Sequence, residues 1–133
     1  PMLEEKAELY GPHIRELIEA GLRIDAVRYS RALENRLQFI ADTRSLASRA
    51  DVLLTPTTPT PAPSDLSVTG SAMFQGPWTS CGLPTVTVPS GLSATGLPLG
   101  IQLVAGPLAE RRLLTAALWC ERQLALDLRP PLP

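Results

Sequence analysis

The sequence predicts an α/β fold in which helices pack on a few strands. Two stretches, one before Gly21 and one from Asp25 to about Ala50, carry apolar residues every three or four positions, which is typical of amphipathic helices. Three short runs are apolar or β-branched at almost every position, which is typical of strands in a sheet that is covered on both faces. These runs are Asp51–Pro56, Thr85–Val88 and Leu99–Ala105.

The first helix is expected over Leu3–Ala20. Because a Gly-Pro pair interrupts its pattern, and because proline is tolerated in a first helical turn, a start near Pro12 is the alternative. Gly21 is expected to end this helix, since glycine is the usual residue just past a helix C-terminus. In the second helix, Tyr29 and Phe39 are expected to face the core.

The segment after the first strand carries a proline at every second position, at Pro59, Pro61 and Pro63. This spacing favours an extended, polyproline-like loop, because proline fixes φ and cannot donate to a strand ladder. A flexible interdomain linker is the alternative. Ser67–Ser80 is expected to be a loop with one helical turn around Ser71–Gln75.

The stretch from Gly82 to Glu110 has the most ordered spacing in the chain. Gly-Leu-Pro precedes one strand, Pro89-Ser-Gly follows it, and Gly96-Leu-Pro-Leu-Gly leads into the next strand. Glycine admits positive φ and proline fixes φ, so their repetition at fixed places indicates a backbone of defined shape. A last helix is expected over Ala109–Leu126.

Composition excludes several classes of function. The 133 residues carry a net charge of −1, so the chain lacks the basic surface that direct nucleic-acid binding needs. His13 is the only histidine and no Cys-x-x-Cys occurs, so no metal site is expected. No apolar run approaches the roughly 20 residues that cross a bilayer, so no membrane association is expected. Cys81 and Cys120 fit a reducing cytoplasm, although a disulfide between them stays open.

The order of these elements and motifs resembles the C-terminal third of amidase-signature enzymes, a family of general amidases and amidotransferase A subunits. The resemblance covers about Arg36 to Leu124, and its most specific part is Gly-Leu-Pro…Pro-x-Gly…Gly-Leu-Pro-x-Gly-x-Gln. It implies that residues 1–133 are the C-terminal segment of a single, incomplete amidase domain around a mixed sheet. Three strands are fewer than an average sheet contains, so we expect the missing strands and the catalytic part upstream of Pro1.

The resemblance implies hydrolysis of a carboxamide C–N bond through an acyl-enzyme. In the family a serine attacks the carbonyl, a second serine in a cis peptide relays its proton to a lysine, and a Gly/Ser-rich loop holds the oxyanion. This chain has no such loop, and its one lysine, Lys6, lies in a charged stretch. We therefore assign it no catalytic residue and no cofactor, and we expect it to supply scaffold and pocket wall and to be inactive alone.

Substrate contacts are expected from Trp78, Thr79 and Ser80, and from the loop that follows the first strand (Thr55, Thr57 and Thr58), because ligands gather at the loop ends of sheet strands. Trp78 could equally cap the core. Cys81 is expected to be a small buried filler rather than a nucleophile. Gln102, polar within an apolar strand, is expected to bond to a neighbouring element.

Three functions are compatible with the resemblance. In the amidotransferase A subunit, Asn-Leu-Ala or Asn-Leu-Thr usually precedes the Gly-Leu-Pro turn, whereas this chain has Thr79-Ser80-Cys81, which favours a stand-alone amidase. The alternatives are the A subunit of a tRNA-dependent amidotransferase and a non-catalytic remnant. The expected partner is a small amide substrate of the full-length enzyme, and homo-oligomerisation stays open.

Overall fold

The computed structural model describes residues 5–128. After a short 3-10 helix, the elements are α1, α2, β1, α3, β2, β3 and α4. They span Pro12–Leu22, Ala26–Ala47, Leu53–Pro56, Gly76–Cys81, Thr85–Leu92, Pro98–Val104 and Glu110–Leu124, in that order. The chain divides into two compact units between Leu37 and Gln38, inside α2. Within residues 5–128, every helix is too short or too polar to span a bilayer.

The first unit contains α1 and the start of α2. Helix α1 begins at Pro12, as the alternative start predicted, while Leu3 lies outside the described residues. The prediction that Gly21 ends α1 is wrong: the helix continues to Leu22, because the backbone at Gly21 does not take the left-handed conformation of a helix stop. Asp25 caps α2 by accepting the N–H of Arg28 at 2.8 Å.

The two aromatic side chains of α2 do not face a core. Tyr29 is 59% exposed and Phe39 is 43% exposed, so that prediction is wrong for both. In the second unit the inward stripe of α2 runs through Ile40, Thr43 and Ala47, at steps of three and four. Phe39 precedes that stripe by one residue and is therefore rotated about 100° away from it.

The sheet has three antiparallel strands in the order β1-β3-β2. Gln102 of the central strand lies opposite Thr55 on one side and Thr87 on the other. Strand β2 extends further than its apolar pattern predicted, to Leu92, because a bulge between Pro89 and Gly91 lets pairing continue after the proline. The predicted class, an α/β fold with helices packed on a few strands, is confirmed.

Two apolar clusters cover opposite faces of β3. Leu103 is 1% exposed and packs with Val88, Leu113 and Ala117, which brings α4 against one face. Val104, fully buried, points to the other face and packs in the cluster that joins Cys81 and Leu83 to Ile40, Leu53 and Trp78. The expectation of a sheet covered on both faces therefore holds for its central strand.

Candidate functional site

A cavity of about 370 Å³ lies where the loop after β1 passes the β2–β3 hairpin. Its walls come from three parts of the chain: residues 57, 58 and 60–63, residues 69–71, and strand positions that include Thr87, Pro89 and Gly100. Hydroxyl-bearing, proline and small apolar residues make up these walls. Among the described residues that line it, none carries a charge.

The floor of the cavity is formed by the close approach of Thr57, Thr87 and Gly100. The Thr57 N–H donates to the Gly100 carbonyl at 3.0 Å, and the Thr57 hydroxyl donates to the Thr87 hydroxyl at 3.3 Å. A Cβ at Gly100 would lie 2.8 Å from the Thr87 methyl and 2.9 Å from Thr57 Oγ1. Glycine is therefore required here for space, not for a special φ.

Two glutamine side chains connect the neighbouring loops. Gln102 is 2% exposed, and its Nε2 donates to the Phe74 carbonyl at 3.0 Å and to Thr55 Oγ1 at 3.4 Å, which confirms its predicted role. Gln75 Nε2 donates to the Thr57 carbonyl at 2.6 Å. Sequence analysis missed Gln75, since a glutamine in a glycine- and proline-rich segment gives no periodic signal.

The predicted substrate contacts Trp78, Thr79 and Ser80 lie on helix α3, not on a loop. The expected loop over Ser67–Ser80 is therefore wrong in its last third. A signal was present: Pro77 stands in the first turn of α3, and Gly82 ends the helix in the left-handed conformation with φ 64°.

Only part of the predicted set reaches the cavity. Thr57 and Thr58 line the cavity, whereas Thr55 accepts the hydrogen bond from Gln102. In the described lining, Trp78, Thr79 and Ser80 are absent. Thr79 and Ser80 are exposed, and Trp78 is half-buried against the Cys81–Val104 cluster, as its alternative role as a core cap predicted. Substrate contact by these three residues stays a prediction.

Two thiols and one carboxylate of the second unit lie outside the described cavity lining. Cys81 is buried and free, as expected of a small filler, and Cys120 is also free. In the loop, Asp65 accepts the N–H of Ser67 at 2.8 Å, and the hydrogen bonds from the Ser67 backbone and side chain hold the pKa of this exposed carboxyl below its ordinary value.

Comparison with known proteins places these features in a family. The Amidase family model matches residues 4–114. The chain is 32% identical over 121 residues to a putative amidase, AmiD, of Mycobacterium bovis, covering 84% of this chain and 26% of that protein. It is 34% identical over 139 residues to the glutamyl-tRNA(Gln) amidotransferase A subunit of a Geobacter species, covering 95% of this chain and 28% of that relative.

A solved structure shares the fold. The crystal structure of an amidase superposes with a TM-score of 0.80 at 26% sequence identity, over 91% of this chain and 30% of the amidase. The chain thus spans between 26% and 30% of the length of these three proteins. The sequence match over most of the chain and the shared architecture agree, and the chain belongs to the amidase family.

Proposed function

We propose that this chain forms the sheet scaffold and one cavity wall of an amidase that hydrolyses small carboxamides. Family membership supports the reaction class. The observation that carries the structural part is the cavity lined by Thr57, Thr87 and Gly100, which lies where β1 ends beside the start of β3. A concave, mostly apolar pocket with a few polar groups is the usual form of a small-molecule site.

The proposed chemistry is attack by a serine, an acyl-enzyme and its hydrolysis. Such a nucleophile needs a base within hydrogen-bond reach and donors aimed at the developing oxyanion. Lys6, the one lysine of the sequence, is exposed in the first unit, and no Gly/Ser-rich loop occurs in the sequence. We therefore assign no catalytic residue here, and we propose that this chain is part of a longer, full-length protein whose catalytic part lies upstream and that the 133-residue chain is inactive alone.

The lining of the cavity supports an uncharged substrate group. Pro61, Pro63 and Pro89 give it stiff apolar walls, and Thr57 and Thr87 offer hydroxyl groups for a neutral amide. A charged group in this place would lose water without gaining an opposite charge from the described lining. The part of the substrate that enters is therefore proposed to be neutral.

A second candidate function is that of an amidotransferase A subunit. It is supported by the 34% identity to the Geobacter relative. In that role the chain would act with other proteins of a complex. The net charge of −1 favours contact with those proteins over direct contact with tRNA. A non-catalytic remnant is the third candidate.

Free thiols at Cys81 and Cys120 support a reducing compartment, and we propose the cytoplasm. Cell fractionation tests this location directly. Recovery of the protein from an oxidising compartment would contradict it.

The test compares the 133-residue chain with its natural full-length protein, each assayed with a neutral aryl amide and with glutamine plus glutamyl-tRNA. We expect the full-length protein to release amine from the aryl amide and the chain to release none. Turnover by the chain alone would overturn the assignment of the nucleophile. Glutamine-dependent amidation of the tRNA would favour the second candidate, and a folded full-length protein inactive in both assays would favour the remnant.

A further inference from the structure

We propose that Gln75 and Gln102 are positioning residues whose side-chain amides hold the cavity wall in place. We call their three hydrogen bonds, to Phe74, Thr55 and Thr57, the amide clasp. The inference rests on the proposed function, because the wall that the clasp holds is the proposed substrate wall.

Gln102 is the fixed end of the clasp. It lies in β3, which is paired on both sides, and its side chain is 2% exposed. A strand held by two ladders has little freedom to shift, so the Gln102 amide is a firm anchor. The Phe74 carbonyl, 3.0 Å from Nε2, is thereby tied to the centre of the sheet just before α3 begins.

Gln75 continues the connection from the next residue. Its Nε2 donates to the Thr57 carbonyl at 2.6 Å, so the segment that Gln102 anchors in turn holds the loop after β1. Thr57 is then fixed at three groups. Gly100 accepts its N–H, Gln75 donates to its carbonyl, and Thr87 accepts its hydroxyl hydrogen.

The composition of the loop after β1 explains why side chains must hold it in place. Pro59, Pro61 and Pro63 have no N–H to donate to a strand ladder, and residues 58–63 form none of the backbone–backbone hydrogen bonds of the described loops. A proline-rich wall keeps its internal shape because its φ angles are fixed, but its position relative to the sheet is set from outside. The two amides fix the position of the loop relative to the sheet. Because Thr57 and Thr58 line the cavity, the position of this cavity wall is fixed with it.

The test uses the natural full-length protein with Gln75→Met and Gln102→Met, alone and together. Methionine keeps the length of the side chain and removes the amide. Gln38→Met is the matched control, since Gln38 lies exposed on α2 and bonds only locally, to Asp42. Steady-state kinetics on a neutral aryl amide are combined with hydrogen exchange of peptides that cover residues 57–71.

We expect Gln75→Met to raise KM about tenfold with kcat within about twofold, which is the scale of one lost hydrogen bond to a binding wall. Hydrogen exchange over residues 57–71 should also accelerate in the Gln75→Met variant. The double variant should change KM by less than the product of the single effects, because both amides hold one segment. The control should leave both measurements unchanged.

The outcomes separate this inference from the proposed function. If exchange over residues 57–71 matches the Gln38→Met control in both variants, the clasp is overturned even where the amidase is active. If exchange accelerates while KM stays constant, the positioning role is overturned. If the wild-type protein hydrolyses no amide, the proposed function fails, while accelerated exchange still supports the clasp. Should Gln102→Met fail to fold, the Gln75→Met variant alone tests the clasp, because Gln75 is only half-buried.

Discussion

The Thr57 N–H and the Gly100 carbonyl are joined by a hydrogen bond of 3.0 Å, one step past the last paired residues of β1 and β3. The two backbones approach so closely that a Cβ on Gly100 would lie 2.9 Å from Thr57 Oγ1. The floor of the cavity is thus a continuation of the sheet, and its shape depends on an absent side chain.

Replacing Gly100 by alanine should therefore destabilise the protein by about 1–3 kcal/mol, the usual cost of overpacking. Gly106→Ala is the matched control, because a Cβ there meets nothing within 4 Å and the Gly106 φ is not left-handed. The control should stay within about 0.5 kcal/mol of wild type. Urea unfolding measures both, and equal losses at the two positions would contradict the close approach.

Leu103→Ala tests the cluster between the sheet and α4. Leu103 is 1% exposed, so its truncation should lower the free energy of unfolding by about 2–5 kcal/mol. Its cross-strand neighbour Leu54 is 61% exposed, and Leu54→Ala should cost about 0.5 kcal/mol or less. A loss at Leu54 as large as that at Leu103 would show that the core has been misplaced.

Most of the sheet could be predicted from the sequence, because runs such as Thr85–Val88 are apolar or β-branched and bounded by proline. Gln102 stood out for the opposite reason, as a lone amide in an apolar strand. Helix α3 is only six residues long, too short for a periodic pattern, and only its end signals at Pro77 and Gly82 could have revealed it.

The cavity could be predicted only in part. Periodicity shows that a helix is amphipathic but not whether anything covers its apolar side, so the expectation for Tyr29 failed. The expectation for Phe39 failed because Phe39 lies beside the buried stripe of α2 and not on it. Thr57 and Thr87 are 30 residues apart and Gln75 and Thr57 are 18 apart, and no local pattern encodes those contacts. The loop position of Thr57 could be predicted because it follows a strand, whereas its partner on β2, Thr87, could not.

The uncharged cavity predicts the substrate selectivity of the longer amidase to which we propose this chain belongs. An amide that bears a carboxylate on its acyl part should have kcat/KM about 100-fold below that of its neutral carboxamide counterpart, since the charge would be desolvated without a partner. The carboxamide analogue is the matched substrate, because it keeps size and hydrogen-bonding shape. Equal kcat/KM for the two would contradict a neutral wall.

Leu108 adopts a left-handed backbone with φ 56° and is 92% exposed. A side chain in this conformation is strained, whereas asparagine tolerates it, so Leu108→Asn should stabilise the protein by about 1 kcal/mol. Leu66→Asn is the control, because Leu66 is 99% exposed without a left-handed φ. Thermal unfolding measures both, and a similar gain at Leu66 would mean that strain is not the cause.

Asp65 should titrate below its ordinary pKa of 3.8, because the ionised carboxylate accepts the hydrogen bonds from Ser67. The hydrogen bonds to the ionised carboxylate then hold the turn from Asp65 to Ser67 at neutral pH. The turn loosens only as the pH falls through the lowered pKa of Asp65. Ser67→Ala should raise the pKa only part of the way, since the backbone N–H is the larger cause and remains. NMR titration of the carboxyl checks this, and a midpoint at or above 3.8 in the wild type would refute it.

The strand order β1-β3-β2 has a consequence for biosynthesis. Among the three strands of the described residues, the middle one is the last to leave the ribosome, so β1 emerges before β3 and waits for it until Gln102, 47 residues after Thr55, has been made. At ordinary elongation rates this wait lasts roughly 2–10 s. Nascent chains that stop before Pro98 hold β1 and β2 without the strand that joins them in the described sheet, so we expect Leu53 and Leu54 to be accessible to a chaperone during that interval.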